Sequence, residues 1–130
     1  RRLPGIGAYT AAAVAAIALG RAAAPVDANL ERVVARLHRV EQPLPQARKR
    51  IAALTRAMVP THAPGEFAQA MMDLGARICT PRAPRCGICP VRGHCAAHAA
   101  GIADQLPVKL PKRARPERHG TAYWLEHDGC

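Results

Sequence analysis

The chain has 130 residues, with nineteen Lys and Arg against nine Asp and Glu and a formal net charge of +10. That length makes about one domain, able to bury roughly two-thirds of its unfolded surface, and the charge points to a polyanionic partner, most commonly nucleic acid. Aromatic residues at 3% argue against stacking on single-stranded bases, and no apolar run approaches the length of a membrane helix.

Hydrophobic residues reach 49%, much of it alanine, which favours closely packed helices. In chain order, Pro4, Gly5 and Gly7 break regular structure, and residues 8–19 then read as a buried helix closed by Gly20 and Arg21. Residues 25–29 form a loop in which Asp27 or Asn29 is placed to cap the next helix. That helix covers 30–40, with Leu30, Val33, Val34 and Leu37 on one face. After a connector at 42–45, a third helix over 46–59 turns Ile51, Leu54 and Met58 inward and Arg48, Lys49 and Arg50 to solvent, and Pro60 stops it. A fourth, over 65–78, buries Phe67, Met71, Met72 and Leu74, and a short fifth covers 95–103. Residues 104–120 form a basic, proline-rich linker, and 121–126 read as the first strand of something new. The chain opens on a motif already under way and stops as that strand begins, so it reads as an internal piece of a longer protein.

Between the fourth and fifth helices stand Cys79, Cys86, Cys89 and Cys95, spaced C-x6-C-x2-C-x5-C. Two disulfides would suit a small secreted domain, but no signal peptide is present and the rest looks cytosolic. Four thiolates suit tetrahedral zinc, although zinc sites usually show two close pairs and only Cys86 and Cys89 form one. An iron–sulfur cluster also takes four thiolates and tolerates uneven loops. Spacing alone favours the cluster and leaves zinc open. His94 reads as a spectator beside four thiolates, and Cys130 as a leftover thiol. The run Leu3-Pro4-Gly5-Ile6-Gly7 reads as a hairpin that lets backbone and a helix N-terminus approach a phosphate, although a plain helix–helix turn fits equally well.

Hairpin, carboxylate and cysteines in this order resemble the helix-hairpin-helix DNA glycosylase superfamily, which includes endonuclease III and the MutY-type adenine DNA glycosylases. The family pattern is L-P-G-x-G, then a catalytic Asp, then the same cysteine spacing holding a 4Fe-4S cluster. It covers about residues 1–120 and implies an all-α fold. Residues 1–103 would be part of the helix-hairpin-helix glycosylase catalytic domain, with hairpin and catalytic Asp at 3–29, helices at 30–78 and the cluster loop at 79–95. Tyr9 stands where endonuclease III enzymes carry their lysine nucleophile. With the runs at 26–33 and 67–75, it is similar to the MutY branch, whose members continue through a basic linker into a Nudix-like domain.

The resemblance assigns roles as follows. Asp27 stabilises the sugar cation formed as the N-glycosidic bond breaks; its plain alternative is a helix cap. Asn29 orients Asp27 or the sugar phosphate, and Tyr9 approaches the reaction centre or merely packs. Leu3, Pro4, Gly5, Ile6, Gly7, Arg82, Arg85 and Arg92 meet DNA phosphates, with solvated surface as the alternative for the arginines. Cys79, Cys86, Cys89 and Cys95 hold the cluster. The general-acid glutamate and the base-flipping residues of the family lie upstream of Arg1, so no residue here inherits them and the piece alone is expected to be inactive. The implied partner is double-stranded DNA with adenine opposite 8-oxoguanine or guanine, met by a monomer at the nucleoid in bacterial cytoplasm, away from membranes. The competing readings are an endonuclease III-type glycosylase/lyase on oxidised pyrimidines and a non-catalytic iron–sulfur DNA-binding module.

Overall fold

The computed structural model describes residues 4–111, 117 and 119–127. Leu3, Cys130 and the linker positions 112–116 and 118 therefore lie outside the described residues.

Helix α1 (Ala8–Ile17) begins after Gly5 turns the chain at φ 78°, a value that glycine adopts freely. Gly20 at φ 59° closes the turn after it. The expected buried helix is not buried: only Ala16 is enclosed, while Val14, Ile17 and Leu19 are 50%, 44% and 60% exposed. Its apolar residues surround the axis instead of forming one stripe, and one helix, α4 (Pro64–Asp73), is its main neighbour. The two run antiparallel. Tyr9 meets Met72 at one end, and at the other Gly65 lies so close to α1 that a Cβ there would sit 2.8 Å from the Ala16 carbonyl oxygen.

Helix α2 (Ala28–Leu37) is the centre of the core. Its expected face is confirmed: Leu30, Val33 and Val34 are buried, with Leu37 packed beside them. They meet Ala47 and Ile51 at α3 (Arg48–Met58) and Met71 and Leu74 from the α4 side. Each fully buried Leu, Ile or Val contributes about 1.5–3 kcal/mol. Arg48, Lys49 and Arg50 are exposed as expected, but Arg48 also pairs with Glu31 of α2 at 3.0 Å.

Beyond Asp73 the fourth helix widens into a π-helical turn, Leu74–Ile78, closed by the Cys79 N–H bonding back to the Leu74 carbonyl at 2.7 Å. The helix expected over 65–78 thus has the right extent, although Phe67 and Met72 are only half-buried. Helix α5 (Ala96–Ala99) is shorter than expected, because Gly101 at φ 69° turns the chain out of it.

Two expectations for the C-terminal part need correction. The start of the proposed linker is packed: Leu106 is buried against Ala97 and Ala103, and the Leu44 N–H donates to the Val108 carbonyl at 2.8 Å. Residues 121–126 form no strand among the described residues, and Tyr123, Trp124 and Leu125 are 83%, 90% and 90% exposed. A strand is stabilised by a ladder, and no described segment pairs with this one. No helix among the described residues is long and apolar enough to cross a membrane.

Candidate functional site

Cys79 follows the π-helical turn, Cys86 opens a single 3-10 turn (Cys86–Ile88) before Cys89, and Cys95 caps α5 after a second such turn (Arg92–His94). All four are half-buried free thiols. They line one pocket whose wall includes Val33, Leu37, Leu74 and Ile78. Burial pushes the Cys86 thiol up, the neighbouring Cys79, Cys95 and Cys89 push it further, and Arg36 opposes them. Four soft donors lining one apolar-walled pocket fit a thiolate-bound cluster, whose binding displaces the protons. Among the described residues no three His, Cys, Asp or Glu close on one point as the ligands of a single ion do. His94 is exposed.

The loop is braced from within. Thr80 Oγ1 donates to the carbonyls of Arg82 at 3.0 Å and Ala83 at 3.4 Å, holding Ala83 at φ 47°. The Arg85 guanidinium donates through Nε to the Arg77 carbonyl at 3.1 Å, and Arg92 reaches the Gly87 carbonyl at 3.5 Å. Arg82, Arg85 and Arg92 are all exposed and so remain accessible to a phosphate backbone.

Two arginines of α2 form the other side of the site. Arg36, only 2% exposed, donates to Cys79 Sγ at 3.2 Å and to the carbonyls of Thr80, Pro81 and Leu106 at 2.8, 3.2 and 2.9 Å. Arg32, 7% exposed, donates to the carbonyls of Cys79 and Gly75, each at 2.7 Å, and to Asn29 Oδ1 at 2.9 Å. Burial pushes its guanidinium down, Arg36 adds to that, and Cys79 and Asp27 oppose it.

Asp27 is the N-cap of α2: its Oδ1 accepts the Leu30 N–H at 2.7 Å. Its Oδ2 has no protein donor among the described residues. The Asn29 side-chain oxygen accepts from Arg32, which links the Asp27 loop to the backbone of the first cysteine, and among the described residues no hydrogen bond joins Asn29 to Asp27. The Tyr9 hydroxyl lies 3.8 Å from Met72 Sδ, and among the described residues no hydrogen bond joins it to Asp27. At the hairpin, Pro4, Gly5, Ile6 and Gly7 are exposed, and α1 begins with neither a side-chain cap nor an acidic residue in its first turn. Its first amides are open to an anion.

Comparison with known proteins agrees with this geometry. Residues 79–95 match the family described as iron-sulfur binding domain of endonuclease III. The adenine DNA glycosylase of Homo sapiens is 40% identical over 106 residues, 80% of this chain and 19% of that protein. That of Mycolicibacterium smegmatis is 42% identical over 100 residues, 77% of this chain and 34% of its relative. That of Mycobacterium tuberculosis H37Rv is 40% identical over 123 residues, 93% and 38% of the two chains. The chain belongs with the MutY-type helix-hairpin-helix DNA glycosylases. It spans between 19% and 38% of the lengths of these three relatives. A solved structure, of a thermostable thymine-DNA glycosylase, superposes with a TM-score of 0.68 at 38% identity, over 76% of this chain and 46% of that one.

The match over 79–95, more than the sulfur geometry, decides for a 4Fe-4S cluster over zinc in this MutY-type chain. The sequence reading missed Arg32 and Arg36. Their i,i+4 spacing puts both on one face of α2, but spacing alone does not tell a buried arginine pair from a solvated one.

Proposed function

We propose that the full-length protein carrying this chain is a monofunctional base-excision glycosylase that hydrolyses the N-glycosidic bond of adenine opposite 8-oxoguanine, or guanine, in duplex DNA. The observation that carries this reading is the Asp27 carboxylate. One oxygen is fixed by the Leu30 N–H at 2.7 Å, the other has no donor among the described residues, and the loop is the one the family pattern reserves for its catalytic Asp. Cleavage places positive charge on the sugar, and a preoriented carboxylate stabilises it without reorganising. The Asn29–Arg32 bridge keeps that loop in register with the cysteine loop. The hairpin amides and Arg82, Arg85 and Arg92 supply phosphate contacts, so binding weakens steeply with salt.

Cys79, Cys86, Cys89 and Cys95 are the cluster ligands. The bound cluster contributes folding energy to the loop and a site for one-electron exchange. The acid that protonates adenine and the residues that flip it come from outside these 130 residues, which alone bind duplex weakly and excise nothing. Residues 121–130 begin a Nudix-like domain that reads the opposite base, and the protein works as a monomer at the bacterial nucleoid.

The similarity to a thymine-DNA glycosylase supports a second reading, excision of mispaired thymine. Incubating the full-length protein with A:8-oxoguanine, A:G and T:G duplexes and identifying the free base separates the two. Adenine from the first two duplexes is expected. Thymine from the third alone would support the second reading; oxidised pyrimidine release with strand cleavage would indicate the endonuclease III class. Tight duplex binding with no base released would leave a pure binding module.

A further inference from the structure

We infer that Arg36 couples the cluster loop to the segment by which the chain leaves the domain, so that a filled cysteine site docks residues 103–109 and an emptied one releases them. This rests on the four cysteines holding the cluster. Arg36 is a buried guanidinium whose acceptors come from two places 25 or more residues apart in sequence: Cys79 Sγ, Thr80 O and Pro81 O in the loop, and Leu106 O in the exit segment. Among the described residues no carboxylate is within ion-pair distance of it. A buried cation with no carboxylate persists only while its hydrogen-bonding acceptors stay in place.

Three of those four acceptors belong to the loop, and the folding energy of such a loop comes from what its thiolates bind. When the loop loses its shape, one remaining carbonyl cannot keep the guanidinium out of water. Arg36 then swings outward and Leu106 loses its bond. Packing points the same way, because Ala97, Ala103 and Leu106 rest against Cys86 and Cys95. What remains is slight: the Leu44 N–H to the Val108 carbonyl at 2.8 Å and an isolated bridge between Leu44 and Lys109. The Leu44 amide is therefore a reporter of docking.

Hydrogen exchange of the iron-loaded full-length protein, before and after chelation, reads the coupling. Leu44 should exchange about ten-fold faster or more once iron is removed, as expected for losing a charge-assisted bond, while Ile51 and Thr55 in α3 change little. Should chelation unfold α3 as well, iron-loaded Arg36→Lys decides. Lysine keeps the charge but cannot span the loop carbonyls and Leu106 at once. At wild-type iron content the variant should show the same acceleration at Leu44. A Leu44 amide equally slow in that variant, or equally slow in stripped protein with α3 intact, overturns the coupling. A wild-type protein without iron sinks the cluster reading and this inference with it.

Discussion

Replacing Asp27 by asparagine or by alanine separates the two tasks of its carboxylate. Oδ1 caps α2 through the Leu30 N–H at 2.7 Å, and the proposed mechanism gives Oδ2 to the sugar. Asparagine caps a helix about as well as aspartate, so Asp27→Asn should change stability by only a few tenths of a kcal/mol. Asp27→Ala removes the acceptor and costs about 0.5–2 kcal/mol, or about 2–4 °C in Tm per kcal/mol in a domain of roughly 150–250 residues. Both variants remove the negative charge that the proposed mechanism sets against the developing sugar cation. Losing one preorganised electrostatic group costs about 10²–10³ in rate, about 2.7–4 kcal/mol. In single-turnover assays with A:8-oxoguanine duplex, both should therefore lose adenine excision by about 10²-fold or more while still binding DNA, and only the alanine variant should melt earlier. Near-normal excision by Asp27→Asn would refute the reasoning and leave Asp27 a helix cap.

Tyr9 carries no amine, so borohydride should trap little covalent DNA adduct with the full-length protein, because no Schiff base forms. Tyr9→Phe removes only the long contact to Met72 at 3.8 Å and should leave excision within about two-fold; abundant trapping would place a lysine in the chemistry. Gly75→Ala puts a Cβ 2.8 Å from that of Asn29, at the contact between α2 and the π-helical turn. It should cost about 1–3 kcal/mol by overpacking, read as a lower Tm and faster iron loss, and an unchanged Tm would mean that α2 yields there.

Much of this was legible in the residues. The cysteine spacing marked the loop, and the period of Leu30, Val33, Val34 and Leu37 placed α2 and its inward face. The burial of Arg32 and Arg36 was not legible, because a charged residue on a helix reads as solvated until a partner is known. Here most of the partners are carbonyls of the π-helical turn and the cysteine loop, more than forty residues away. The same gap hid the bond from Arg32 to the Asn29 side-chain oxygen. Apolar content predicts that α1 is helical but not what covers it, so Val14, Ile17 and Leu19 were placed inside and are found outside. In the exit segment, proline and lysine signalled a linker, while Ile102, Ala103, Leu106 and Val108 supplied an apolar set that docks it.

The whole site turns on what the four thiols hold. Iron and acid-labile sulfide, counted per chain in anaerobically purified full-length protein, test this most directly. Thiolate ligation of a 4Fe-4S cluster predicts brown protein with about four irons and broad visible absorption. Colourless protein carrying a single zinc would contradict it.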